Sequence, residues 1–147
     1  MLSYDDVSYI SIETRGIRDD NICFLYVTTE PSVKVRKSLY VSINAENREE
    51  SLKKALYNGA VGAVWPKVDK LPRFLPNHFP VFLVDDTLLA FAHLIELYIK
   101  KIEENRYDIM TKFFHEKHEQ QNAHTPLVEN GLVKLTTIQA EIEEGRG

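Results

Sequence analysis

Apolar and polar positions along the chain fall into two rhythms, with breaks between them. Val7 to Thr14, "VSYISIET", alternates apolar with small polar residues and predicts a half-buried strand. A loop follows at "TRGIRDDN". Ile22 to Thr29, "ICFLYVTT", is aromatic and β-branched on both faces, as a strand covered on both sides is. After a turn at Pro31, Leu39 to Ile43 ("LYVSI") predicts a short strand. The rhythm then becomes helical. Leu52, Ala55 and Leu56 share one face, while Lys53 and Lys54 lie on the other. Asn47 is the expected cap, with Glu50 at the capping-box position. Gly59, after Asn58, is the expected left-handed residue that ends the helix. "AVGAVW" is apolar without alternation, as an interior parallel strand is. Strand, helix and strand form a βαβ unit with a right-handed crossover.

Four prolines in "PKVDKLPRFLPNHFP" mark a surface connection. "VFLVDD" is a further buried strand, and Asp85 and Asp86 begin a second helix. Leu88, Phe91, Ala92, Ile95, Ile99, Ile102 and Ile109 form its apolar stripe. The stripe packs on the sheet first; past Lys100 it is a candidate for pairing with another chain. After His115 the composition turns polar. "LVENGLVKL" predicts a small hairpin around Asn130-Gly131, the preferred type I′ pair. A lone hairpin is marginal in water, so the tail docks on a partner, docks on the domain, or moves. The expected division is an α/β domain over residues 1–105 and an extension with a tail over 106–147. The fold class is α/β: a small two- or three-layer domain with a mostly parallel sheet.

Composition narrows this picture little. Of 147 residues, 44% are hydrophobic, enough for a real core. A net charge of -4 argues against nucleic acid and anionic membrane as partners. No apolar run is long enough to span a bilayer, and "MLSYDDVSYI" lacks the features of a signal peptide. The expected location is cytoplasmic. Cys23 is the one cysteine, so no internal disulfide forms, and in "ICFLYV" it reads as a buried strand thiol.

Candidate chemistry is sparse. His115, His118 and His124 invite a metal reading, but "HEKHE" misses the zinc-protease spacing by one residue. A solvated charged helix end accounts for them better. No phosphate-binding loop is present. "NGAVGA" runs from helix to strand, and phosphate cradles need strand, then glycines, then helix. The loop Asn44 to Asn47, by contrast, precedes a helix at the carboxyl end of a strand, where open α/β sheets bind ligands. Thr14 and Arg15 also end a strand and are expected to face the same edge, where an arginine could hold a phosphate or carboxylate.

Taken together, "ETRGI", "SLYVSI", "ALYNGAVGAVW" and "PVFLVDDTLLAFAHLIELY" follow in an order that resembles the N-terminal domain of the Mur ligases. These are the UDP-N-acetylmuramoyl-peptide ligases of bacterial peptidoglycan synthesis, and the MurE and MurF types are most similar. Thr14-Arg15 matches the family's Ser-Arg, and Leu39 to Ser42 its L-F-V-A. Ala55, Gly59 and Ala60 match its A-x-x-x-G-A. Val84, Asp86, Leu89 and Leu94 match its last segment. The likeness covers residues 7 to 100, with both Ile22–Thr29 and Leu39–Ile43 competing for one strand position.

The resemblance implies an N-domain that holds the UDP part of a substrate, with Thr14, Arg15, Asn44, Asn47 and Arg48 as the substrate-binding set. The family's D-G-H loop appears here as Asn47, Arg48 and Glu49, and its glycine as Ala45. The ATP-binding loop has no counterpart, so no catalytic residues, cofactor or metal are expected. Two functions follow as expectations. One is a non-catalytic interaction or regulatory module linked to cell-wall metabolism. It would form a homodimer or engage a protein partner through the 87–115 helix and tail. The other is a binder of UDP-N-acetylmuramoyl-type nucleotide sugars.

Overall fold

The computed structural model describes residues 1–106, 110–115 and 123–146. Its elements in chain order are β1 (Leu2–Ser3), α1 (Tyr4–Tyr9), β2 (Glu13–Arg15), β3 (Cys23–Phe24), β4 (Tyr26–Thr28) and β5 (Ser38–Val41). Then come α2 (Arg48–Tyr57), β6 (Ala60–Pro66), β7 (Val81–Val84), α3 (Thr87–Glu104), β8 (Lys112–Phe114) and α4 (Thr125–Arg146). The main sheet has six strands in the order β2-β7-β6-β5-β4-β8. All neighbours pair in parallel except β2, which runs antiparallel to β7. The fold is therefore α/β with a mostly parallel sheet.

Alternation along the strands divides the core between two faces. Leu39, Val41, Val64, Phe82 and Val84 point to the side of α1, α3 and α4. Tyr40, Ala63, Trp65, Val81 and Leu83 point to the side of α2, which meets them with Leu52 and Ala55. Strands covered on both faces carry apolar residues at every position, which explains the unbroken "AVGAVW" and "VFLV" runs. Gly59 has φ +115, as a helix-ending residue requires. Asp86 caps α3 as expected, its Oδ1 accepting from the Leu88 and Leu89 amides at 3.0 and 3.1 Å.

Four expectations are corrected. Val7 to Thr14 is not one strand. Its first part belongs to α1, capped by a Ser3–Asp6 box in which each side chain accepts from the other's amide. Ile22 to Thr29 is split between β3, which pairs with β1, and β4 of the main sheet. β4 and β5 lie side by side, so the two segments do not compete for one position. Asn47 has a left-handed backbone, φ 53, and makes no side-chain cap bond, because a capping side chain needs extended backbone behind it.

The fourth correction concerns the tail. No hairpin forms at Asn130-Gly131; both lie inside α4, a 22-residue helix. Val128, Leu135 and Ile142 recur every seven residues and join the same core as Ile95 and Ile102 of α3. α4 runs in the direction of α3. His124 meets Asp86 at their amino ends, Gly131 meets Ile95, and Gln139 reaches Thr111 farther along. The described part of the tail thus docks on its own domain. α3 ends at Glu104, and Ile109 lies outside the described residues.

Thr111, fully buried, joins these pieces. Its Oγ1 accepts from the Leu2 amide (2.8 Å) and donates to the Phe24 carbonyl (2.7 Å). Its amide donates to Tyr98 Oη (2.6 Å), and its carbonyl accepts from Gln139 Nε2 (3.0 Å). The three polar groups of one buried residue thus bond four elements, β1, β3, α3 and α4, and none is left unsatisfied.

Candidate functional site

Parallel strands put all their carboxyl ends on one edge, and this is where loops of open α/β sheets carry function. Here that edge holds Thr28 at the end of β4 and Thr29 after it, Ser42 to Asn47 after β5, Lys67 after β6, Asp85 and Asp86 after β7, and His115 after β8.

Arg48, the first residue of α2, is held most firmly. Its side chain is 14% exposed. Nη1 donates to the Ser42 carbonyl (2.6 Å) and to Ser42 Oγ (2.8 Å). The guanidinium lies over the Trp65 ring, 5.7 Å from its centroid. Nε is 2.9 Å from Asp69 Oδ2, an ion-pair distance whose angle is too poor for a hydrogen bond. Trp65 in turn donates Nε1 to the Asp69 carbonyl (3.2 Å). Arg48 therefore ties the end of β5 to the connection after β6, and its cation is matched inside the chain.

The other expected site residues are placed differently. Asn44 closes a local turn, its Oδ1 accepting from the Glu46 amide (3.0 Å). Asn47 is exposed. Thr14 and Arg15 lie at the opposite edge. β2 is antiparallel, so Arg15 pairs with Val81, the first residue of β7. The Arg15 guanidinium is mostly exposed and contacts Glu13 at 3.2 Å. The structure thus brings Asn44, Asn47 and Arg48 together and separates them from Thr14 and Arg15 by the length of a strand. The polarity of an edge strand carries no local sequence signal.

At the other end of the carboxyl edge, two of the three histidines are placed. His115 Nδ1 is 3.0 Å from Thr29 Oγ1, and its ring is 5.3 Å from that of Phe91. His124 Nε2 is 3.2 Å from Asp86 Oδ2. His118 lies outside the described residues. Among the described residues, no three His, Cys, Asp or Glu side chains converge as a metal set would. Both placed histidines orient chain segments: one fixes β8 to β4, the other fixes the start of α4 to the cap of α3.

Sequence reasoning missed one feature of this region. A cleft of about 550 Å³ opens beside α2, lined by Glu49, Asp69, Lys70, Leu71, Arg73 and Phe74. Five of these six come from the connection between β6 and β7, which reads from sequence as a plain surface link. Pro66 to Pro80 is fastened by Leu71, Leu75 and Phe79, which pack against the α2-side core. That apolar spacing is the signal that a built segment was present.

No protein-family model matches the chain, and no curated protein matches it. No helix among the described residues is long and apolar enough to cross a membrane.

Proposed function

We propose that the chain is a non-catalytic module of the Mur ligase N-domain type that works through protein contact in cell-wall metabolism rather than by holding nucleotide. The order β5–α2–β6–β7–α3 supports the kinship. Arg48 supports the loss of nucleotide binding. It is the one cation between Asn44 and Glu50, and Ser42, Trp65 and Asp69 already engage it. What remains at that mouth is Glu46, Glu49 and Glu50, which repel a diphosphate. Fold kinship alone does not carry function, so the reading rests on this mouth. Calorimetric titration with a UDP-N-acetylmuramoyl peptide is expected to give no saturable heat. Saturable binding overturns the reading.

The cleft favours a second reading, a binder of UDP-N-acetylmuramoyl-type sugars. Lys70 and Arg73 could meet a diphosphate there, and the half-exposed ring of Phe74 could stack on a base. Under this reading the same titration gives saturable heat that Lys70→Glu or Arg73→Glu abolishes.

A further inference from the structure

Among the described residues the sheet ends in two short strands, β2 and β8, and β2 carries a self-complementary charge pattern, Glu13 and Arg15 around Thr14. Hydrogen bonds fix which backbone groups face outward. The Ala63 amide donates to the Pro80 carbonyl (3.1 Å), and the Lys67 amide to the Val84 carbonyl (2.8 Å). Even-numbered residues of β7 therefore face β6, and Val81 and Leu83 face β2. Their partners in register are Arg15 and Glu13, so the amide and carbonyl of Thr14 face away from the sheet. No strand among the described residues pairs with that side.

We propose that two copies of the chain pair antiparallel through β2, about a two-fold axis at Thr14, to make one continuous twelve-stranded sheet (two sheets of six strands). A two-fold interface must match its own surface, and this edge does. Thr14 exchanges two backbone hydrogen bonds with Thr14 of the second copy. Glu13 then stands opposite Arg15 of the second copy, and Arg15 opposite its Glu13, on the same face of the sheet. Opposite charges directly across strands attract, and a register shifted by one residue loses both pairs. Glu13 and Arg15 are 40% and 58% exposed, and their contact within one chain is a surface ion pair that exchanges partners at little cost.

Apolar surface flanks the same strand. Tyr9, Ile12 and Ile17 are 84%, 51% and 55% exposed, and all lie within five residues of Thr14. Ile12, whose amide still donates to the Leu83 carbonyl (2.8 Å), and Ile17 flank the three pairing residues on either side. Pairing also removes an open sheet edge, which otherwise invites uncontrolled strand addition. In the strand order β7 and β6 stand between β2 and the end of β5 that Arg48 holds, so the pairing does not use Arg48.

Sedimentation equilibrium of the full chain over a wide concentration range tests the proposal. A monomer–dimer equilibrium is expected. Glu13→Arg and Arg15→Glu each place like charges opposite each other, and each should raise the dissociation constant at least about tenfold. An equimolar mixture of the two variants restores both ion pairs and should associate as the unaltered chain does. That rescue also shows that both variants fold. A strict monomer at millimolar concentration overturns the proposal. So does a dimer indifferent to either reversal, or two weakened variants that fail to rescue each other.

Discussion

A β-carbon on Gly131 would stand 3.1 Å from Cγ2 of Ile95 and 3.7 Å from its Cβ. α3 and α4 thus cross at the one glycine in the middle of α4, and the absent side chain sets how closely they pack. Gly131→Leu must push the helices apart or shift Ile95, and overpacking of this kind costs about 1–3 kcal/mol. Gly131→Ala gains up to about 1 kcal/mol in helix propensity against a tight but yielding contact, so it should be close to neutral. Urea unfolding of the two variants checks this. Equal midpoints would mean that the helices do not meet at residue 131.

The Thr111 junction makes a second expectation. Thr111→Val keeps the shape and removes the hydroxyl, leaving the Leu2 amide and the Phe24 carbonyl buried without that partner. Unmet buried groups cost about 1–3 kcal/mol each, so a loss of about 2–4 kcal/mol is expected. Tyr98→Phe strips the acceptor from the Thr111 amide and should cost about 1–3 kcal/mol. Thermal unfolding measures both. A Thr111→Val variant as stable as the parent would show that water reaches the junction.

These two sites also show where local sequence signals stop. Asn130-Gly131 is a strong turn dipeptide, and the seven-residue spacing of Val128, Leu135 and Ile142 overrides it, because burying that stripe on α3 outweighs a local turn preference. Val7 to Thr14 alternates well enough to pass for strand, although Ser3 and Asp6 stand at capping-box spacing and Val7 to Tyr9 belong to α1. What was legible rested on local causes: the period of α2, the cap at Asp86, the glycine after Asn58, the unbroken apolar runs of β6 and β7. The candidate site was legible only in part. Asn44, Asn47 and Arg48 are neighbours in the chain and stay together. Placing Arg15 with them required the direction of β2, and direction is fixed by pairing with β7, from Arg15 with Val81 to Glu13 with Leu83, far along the chain.

Arg48 allows a third expectation, about stability rather than ligand. Lysine in its place keeps a charge but not the planar fork that reaches Ser42 and Asp69 while lying over Trp65. Arg48→Lys should cost about 1–2 kcal/mol, because Lys replaces a stacked, multiply bonded group with a single point charge. Urea denaturation followed by Trp65 fluorescence reads both the midpoint and the change at the ring. An unchanged midpoint and spectrum would mean that the guanidinium turns to solvent, which would reopen the nucleotide reading.

The join between α2 and β6 gives the fourth. The segment from β4 to β5 returns across the end of α2: the Val35 amide donates to the Asn58 carbonyl (3.1 Å), and Asn58 Nδ2 donates to the Pro31 carbonyl (2.9 Å). A β-carbon on Gly59 would lie 2.6 Å from the Val35 carbonyl oxygen and 3.0 Å from Arg36 Cα, both backbone atoms that cannot swing away. Its φ of +115 adds strain for any other residue. Gly59→Ala should therefore cost more than about 2 kcal/mol, and Gly59→Val more again, since a β-branched side chain tolerates positive φ least. The nearby Gly62→Ala meets only side-chain atoms, the Phe24 ring at 3.1 and 3.3 Å and Leu39 Cδ1 at 3.5 Å, and a ring can yield by a few tenths of an ångström. It should be the mildest of the three. The expected order of melting temperatures is Gly62→Ala above Gly59→Ala above Gly59→Val. Any order that puts a Gly59 variant first would show that the returning segment stands away from α2 in solution.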